Sequence, residues 1–214
     1  MPETTLTGAT RPVDRRARRR QETIAEILDI AEEVMGEVGV TGLTIAEVAR
    51  RLGVQPPSLY KYFPSLTALY DALFERGQLR HLDVMRAAMH DVAPGLAALT
   101  AGLDASGRWL LAHRALAQLL FWRPVPSFEA TPAAMAASVA MVELQRDALR
   151  DAVHAGELGP GADSDEAVYA LGILITGTLT MAMANEPDVP WGEGRFSPLF
   201  PRLMELLPAL HPPA

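Results

Sequence analysis

The sequence predicts an all-α fold in which a small N-terminal domain of short helices precedes a larger helical one. Three observations carry this. Ala and Leu dominate a chain that is 49% hydrophobic, and no run alternates β-branched or aromatic residues with polar ones, which favours helices over strands. Apolar residues recur at spacings of three and four. Gly and Pro cluster between the periodic stretches and punctuate them. At 214 residues the chain suits a small domain joined to a larger one, with enough apolar content for a substantial core.

The first helix is expected over residues 18–37. Ile24, Ile27, Leu28, Ala31, Val34, Met35 and Val38 form its buried stripe, acids fill the other faces, and Gly39 and Gly42 end it. Thr44-Ile45-Ala46-Glu47 reads as a capping box, in which Glu47 reaches back to the cap. Ile45, Val48, Ala49 and Leu52 give a short second helix closed by Gly53, with Val54 packing the turn. Pro56 and Pro57 suit only a first turn, so a third helix is expected over 57–63, stopped by Pro64. Ser65 caps a fourth helix with Leu66, Leu69, Leu73 and Phe74 on its apolar side. Beyond Gly77, helices are expected near 78–92, 96–112, 114–122, 133–155, 164–185 and 198–210, with no internal repeat.

The composition excludes several classes of function. With no Cys there is no disulfide, thiolate metal site or Cys nucleophile, which fits a reducing compartment. His81, His90, His113, His154 and His211 show no tight ligand spacing, so neither metal nor cofactor is expected. No GxSxG, HExxH, phosphate-loop or dinucleotide motif occurs, and Asp163, Asp165 and Glu166 read as a helix start, so no enzyme is expected. No signal peptide is seen, and the most apolar stretch, 171–183, is too short and too interrupted to span a bilayer. A soluble cytoplasmic protein without membrane contact is the expectation.

The net charge of −7 conceals a polarity. Six arginines fall within residues 11–20 against Asp14, and Arg50, Arg51 and Lys61 oppose Glu47 within 41–65. The acidic excess lies beyond residue 80. Phosphate binding depends on the local footprint rather than the sum. Two short helices joined by a turn describe a helix-turn-helix, whose second helix enters a major groove while the first and fourth helices bury its back. Leu59 and Phe63 should face the core, leaving Ser58, Tyr60, Lys61 and Tyr62 outside, where they can donate to phosphate oxygens. Tyr60 and Tyr62 alternatively roof the small core with their hydroxyls exposed. The arginine run offers extra phosphate or minor-groove contacts, or else is a solvated helix start.

From Thr41 to Val54, and again from Ser58 to Ser65, the chain resembles the DNA-binding domain of the tetracycline-repressor (TetR/AcrR) family, a likeness that spans about residues 20–75. The resemblance implies an all-helical homodimer that binds a double-stranded DNA operator and carries a small-molecule effector pocket in its C-terminal domain. It implies phosphate contacts at Thr44, Tyr60 and Tyr62, and positions near base edges for Gln55, Pro56, Pro57, Ser58 and Lys61. Leu66 stands where the family often has a phosphate-binding Lys, and the arm, Arg18 and Arg19 included, is a substitute. Residues 1–17 are then a disordered basic arm, 18–65 the helix-turn-helix domain, and 66–214 the effector-binding and dimerisation domain. Repressor is the family default; an activator or a ligand-independent binder fits the same residues, although the acidic C-terminal part argues against an architectural role.

The C-terminal resemblance is looser. Where some relatives carry Trp and His ahead of a Gly matching Gly177, this chain has Gly172 and Thr176, which leaves space for ligand or for closer helix packing between subunits. Aromatic, Met and hydroxyl side chains make candidate pocket residues of Trp109, His113, Phe121, Trp122, Phe128, Met135, Met141, Thr176, Thr180 and Met181; the same set reads equally as plain core. His113 either meets a ligand or caps the helix after it. Ala167, Ala170, Leu171, Leu174 and Thr178, with Leu199, Leu203, Leu206 and Leu210 on the last helix, are candidates for a dimer seam or for intrachain packing.

Overall fold

Every regular element of residues 12–213, which the computed structural model describes with side chains from Arg15 onward, is helical. Helix α1 spans Pro12–Val38, so residues 12–17 of the expected arm are helical; residues 1–11 lie outside the described residues. Ile27, Leu28, Ala31, Val34 and Met35 are buried along its predicted stripe. Val38 is not: it is 54% exposed, because the chain turns at Gly39 (φ 79°) and Val40 and Leu43 enter the core instead.

Thr44 caps α2 (Ile45–Arg51), its hydroxyl accepting the Glu47 amide at 3.1 Å. The second half of the predicted capping box is absent. The Glu47 carboxylate turns forward to Arg50 (2.7 and 2.8 Å) and Arg51 (2.8 Å), and Arg51 also forks onto Glu37 of α1 at 2.6 and 2.8 Å. Two guanidinium groups attract the carboxylate more strongly than one amide does. Gly53, at φ 68°, lets the Val54 amide reach the Ala49 carbonyl at 3.0 Å, and Val54 itself lies exposed rather than packing the turn. Helix α3 is only Pro56–Leu59. The Tyr62 and Phe63 amides both bond the Leu59 carbonyl, so the predicted remainder of this helix is a turn ahead of Pro64.

Helix α4 (Leu66–Met89), capped by Ser65, runs straight through Gly77. A Cβ at Gly77 would lie 3.2 Å from Leu120 Cδ2, so this glycine admits a close helix crossing rather than ending a helix. Helices α5 (Leu96–Ala112), α6 (Arg114–Phe121), α7 (Pro132–His154) and α8 (Asp165–Asn185) follow, with α5 and α7 packed most extensively on α4. The single last helix expected over 198–210 is a 3-10 turn, Ser197–Leu199, followed by α9 (Phe200–Met204) and α10 (Leu206–Leu210); Pro198, Pro201 and Pro208 deny the ladder its amides. Helix α8 has 21 residues and an 18-residue stretch of mean hydropathy 1.7, which by length and composition alone is enough to cross a membrane. Here one side of α8 packs into the chain's own core through Val168, Leu171, Ile175 and Leu179.

The start of α4 completes the N-terminal core. Leu69, Tyr70 and Leu73 are buried there, and the Tyr70 hydroxyl donates to the Val40 carbonyl at 2.6 Å. Phe128 lies against Tyr70 and Phe74, with centroids 5.7 and 6.2 Å away. Asp71 accepts both the amide and the hydroxyl of Thr131, at 2.7 and 2.9 Å, tying α4 to the start of α7.

Tyr70→Phe should leave the Val40 carbonyl with only its 3.3 Å bond from the Leu43 amide and cost about 0.5–1.5 kcal/mol, a drop in Tm of roughly 1–6 °C by calorimetry. The arginine pair holds Glu47 down at about 2, from an ordinary 4.5, chiefly by hydrogen bonds from Arg50 and then Arg51. A lowered carboxylate value stabilises the fold above the unfolded value and loses that contribution as pH falls through the folded one. Between pH 4.5 and 2, Tm should therefore fall more steeply for the native chain than for Glu47→Gln, by a small margin because solvent screens the group.

Candidate functional site

The turn after α2 presents a short ridge at the end of the N-terminal domain. Leu59 and Phe63 are anchored in the core at 2% and 5% exposure. That fixes the alternate residues: Tyr60, at 51% exposure, stands out from the domain, as does Lys61, while Tyr62 is half-buried against the core. The sequence left both tyrosines open between roof and ridge; Tyr60 is ridge and Tyr62 is partly roof. Gln55, Pro57 and Thr44 are exposed, and Pro56 and Ser58 half-buried. Leu66 is half-buried against the core.

The basic run joins this ridge directly. Arg15, Arg16, Arg18, Arg19 and Arg20 are all exposed on α1. The Arg20 guanidinium lies 5.1 Å from the centroid of the Tyr62 ring and donates to the Lys61 carbonyl at 3.4 Å, while Arg18 pairs with Glu22 at 3.5 Å. Arg50 and Arg51, counted with the basic footprint in the sequence, are already held by Glu47 and Glu37. The cations around the ridge are therefore Lys61 and the arginines of α1. This surface offers hydroxyls and cations at the reach that phosphate contacts require.

A second site lies in the C-terminal domain. A cavity of about 770 Å³ opens between α4, α5, α7 and α8. Of the predicted pocket residues, Phe121, Met141, Thr176, Thr180 and Met181 line it, and so do Gly172 and Gly177. The others are elsewhere. Trp109 stacks behind the cavity wall on His81, at 5.5 Å and 10°. His113 stacks on Trp109 at 4.5 Å and its Nδ1 bonds the Trp109 carbonyl at 2.8 Å, so it points back to α5 and its side chain does not cap α6. Trp122 borders a smaller hollow of about 520 Å³ between α1, α6 and α8, Phe128 is core, and Met135 is exposed and does not line the cavity. Among the lining residues absent from the predicted set are three deeply buried polar ones, Gln78, His81 and Ser106, each at 3% exposure or less. Gln78 and His81 sit three apart among Phe74, Leu82 and Met85, and polar residues on an apolar helix stripe were the available signal. His81 Nε2 lies 2.6 Å from Ser106 Oγ, and burial pushes His81 down to about 4, so its ring is neutral at pH 7.

The predicted dimer residues divide. Ala167, Leu171 and Thr178 are buried inside the chain, Ala170, Leu174 and Leu203 are half-buried, and Leu199, Leu206 and Leu210 are exposed. The most exposed apolar side chains of α8 are Tyr169 (67%) and Ile173 (72%), which also line the cavity at its open side, and Val139 (58%) is exposed on α7. For Ala167, Leu171 and Thr178 the intrachain alternative is therefore the one observed, and Tyr169 and Ile173 lie roughly on the opposite side of α8.

Residues 27–73 match the family model for bacterial regulatory proteins of the tetR family. Over 49 residues the chain is 49% identical to the tetracycline repressor protein class A from transposon 1721 of Escherichia coli, a match covering 23% of each chain; it therefore spans about a quarter of that relative's length. Among solved structures, a protein of unknown function from Rhodococcus sp. RHA1 superposes with a TM-score of 0.75 at 23% identity, covering 98% of this chain and 99% of that one. The transcriptional regulator FadR from Bacillus subtilis, solved with stearoyl-CoA, gives 0.68 at 19% identity, covering 86% and 96%. The likeness to these structures is one of fold, whereas the likeness of the N-terminal domain is one of sequence, over a span that includes the ridge. Residues 27–73 are thus a DNA-binding domain of the tetR family of bacterial regulatory proteins.

Proposed function

We propose that the chain is a ligand-responsive DNA-binding regulator, a repressor that holds a near-palindromic operator as a cytoplasmic homodimer and releases it when a small apolar or amphipathic molecule fills the C-terminal cavity. The observation that carries the reading is the exposed Tyr60–Lys61 ridge joined through Tyr62 and Arg20 to the arginines of α1. Two such ridges related by a two-fold axis match successive major grooves. The exposed apolar side chains Tyr169, Ile173 and Val139 support a second copy of the chain as the partner that covers them.

Helix α4 is the lever in this reading. Arg76 and Arg80 grip Asp29 and Glu32 of α1, Arg76 at 2.7 Å to Asp29 and Arg80 at 3.0 Å to Glu32, with Arg76 also bonded to Glu32. Gln78 and His81, on the same turn and a half of helix, line the cavity. A ligand that binds one position of α4 better than another changes the separation of the two ridges; equal affinity for both positions shifts nothing.

The test is fluorescence anisotropy with DNA from upstream of the chain's own gene, against a scrambled duplex, at two salt concentrations. The native fragment should bind tightly, with a strong salt dependence. Lys61→Ala should weaken binding about tenfold and lower the slope of log K against log salt by about one, and Arg16→Ala with Arg19→Ala by about two. Equal and weak binding of both duplexes, unchanged in these variants, sinks the reading. For the dimer, Ile173→Asp should convert the protein to a monomer in light scattering and lose at least tenfold in operator affinity; a dimer that survives Ile173→Asp with Val139→Asp places the seam elsewhere.

A further inference from the structure

The cavity between α4, α5, α7 and α8 has a definite chemistry. None of the side chains lining it is Asp, Glu, Lys or Arg. Its volume, about 770 Å³, is in the range of sites for drug-sized molecules. Half of the lining residues are Leu, Ile, Val, Met or Phe, and the hydroxyl of Thr180 is already given to the Thr176 carbonyl at 2.7 Å. The deeply buried polar groups are those of Gln78, His81 and Ser106, exposed by 2%, 2% and 3%. They form one cluster: Gln78 and His81 are adjacent on one face of α4, and Ser106 of α5 bonds His81 Nε2. Trp109 stacked on one side and Phe121 edge-on at 5.9 Å fix the His81 ring.

Two atoms of this cluster, Gln78 Oε1 and His81 Nδ1, have no hydrogen-bond partner in the protein. Buried polar groups are nearly always paired, so a cluster with two spare atoms on a cavity wall points to a ligand group that completes it. The cluster is uncharged, because burial keeps His81 neutral at physiological pH. A ligand charge brought into such a site loses its hydration and meets no counter-charge, which is far costlier than burying a neutral hydrogen-bonding group.

We infer that the effector is an uncharged, largely apolar molecule with one hydrogen-bonding group that meets Gln78, His81 and Ser106, and that the cavity rejects a carboxylate or ammonium ion on the same skeleton. The inference rests on the effector reading above. Gly172 supplies the means to separate the two: it lines the cavity, and a Cβ added there meets nothing within 4 Å, so a large side chain fills the space without a clash at its root.

The experiment uses the purified full chain and Nile red, an uncharged solvatochromic dye, displaced by 1-decanol, decanoate or decylammonium below their micelle concentrations. Nile red should bind saturably with blue-shifted emission. 1-Decanol should displace it at a concentration at least tenfold below that of either ion, and Gln78→Leu should weaken 1-decanol about tenfold. Gly172→Phe should weaken the dye at least tenfold with the helical circular dichroism spectrum retained, and Thr176→Leu, a second filling variant, should weaken it in the same direction. An ion that displaces the dye within tenfold of 1-decanol overturns the uncharged ligand and leaves the cavity as effector site. Absence of saturable dye binding, or dye binding indifferent to both filling variants, overturns the effector site itself.

Discussion

Helix α4 has to satisfy two cores at once, and the arrangement of the chain follows from that constraint. Its first two turns bury Leu69, Tyr70 and Leu73 beneath the helix-turn-helix, while its later turns bury Leu82 and Met85 among the C-terminal helices. A helix serving two cores needs an apolar side that changes direction along its length, and the change occurs near Arg76–His81. There the side facing α1 is basic and ion-paired, and the side facing α5 and the cavity is polar but uncharged. Gly77, between the two, lets α6 approach closely enough to touch. Helix α6 in turn packs on α1 and on the 3-10 turn Val40–Gly42, so the two domains meet through one continuous helix and through α6.

Electrostatics on this frame is local. The chain is acidic overall, and several of its arginines serve structure: Arg50 and Arg51 join α2 to itself and to α1, and Arg76 and Arg80 join α4 to α1. What remains around Tyr60 is the basic stretch of α1 and Lys61. Arg20, stacked on Tyr62, makes that stretch part of the ridge geometry rather than a separate tail. A cation above an aromatic ring is worth roughly 0.5–1 kcal/mol where exposed, enough to bias the approach of the arginines without locking them.

The N-terminal domain was legible because each of its turns has a chemical cause in the sequence. Thr44 and Ser65 cap, Gly53 takes a positive φ, Pro64 stops, and Leu59 with Phe63 set which side of the short segment is inside. What was misjudged there concerns competition: Glu47 had two arginines as well as an amide to choose from, and Val38 lay at a turn that redirected the stripe. The C-terminal domain was legible as helices and much less as surfaces. In α8 nearly every position is apolar, so periodicity carries no phase, and the buried side proved to be that of Ala167, Leu171 and Thr178 while Tyr169 and Ile173 faced out. The cavity was half-legible for a related reason. Large and soft side chains stand out in the sequence, whereas Gln78 is set apart by its burial and His81 and Ser106 by a bond between two helices.

The proposed coupling between cavity and ridge has a definite energy scale. Moving a two-state equilibrium from 1:99 to 99:1 takes about 5.5 kcal/mol of differential affinity. An unmade hydrogen bond at a buried polar atom costs roughly 1–3 kcal/mol, and two such atoms, Gln78 Oε1 and His81 Nδ1, occur on the segment of α4 that also carries Arg76 and Arg80. Completing both bonds in only one position of α4 would supply about 2–6 kcal/mol, the same order as the whole switch. Apolar contact along the rest of the cavity then sets affinity without needing to discriminate between the two positions. On this division of labour the polar cluster, rather than the larger apolar wall, is the part of the cavity in which a change of ligand alters the response and not merely the occupancy.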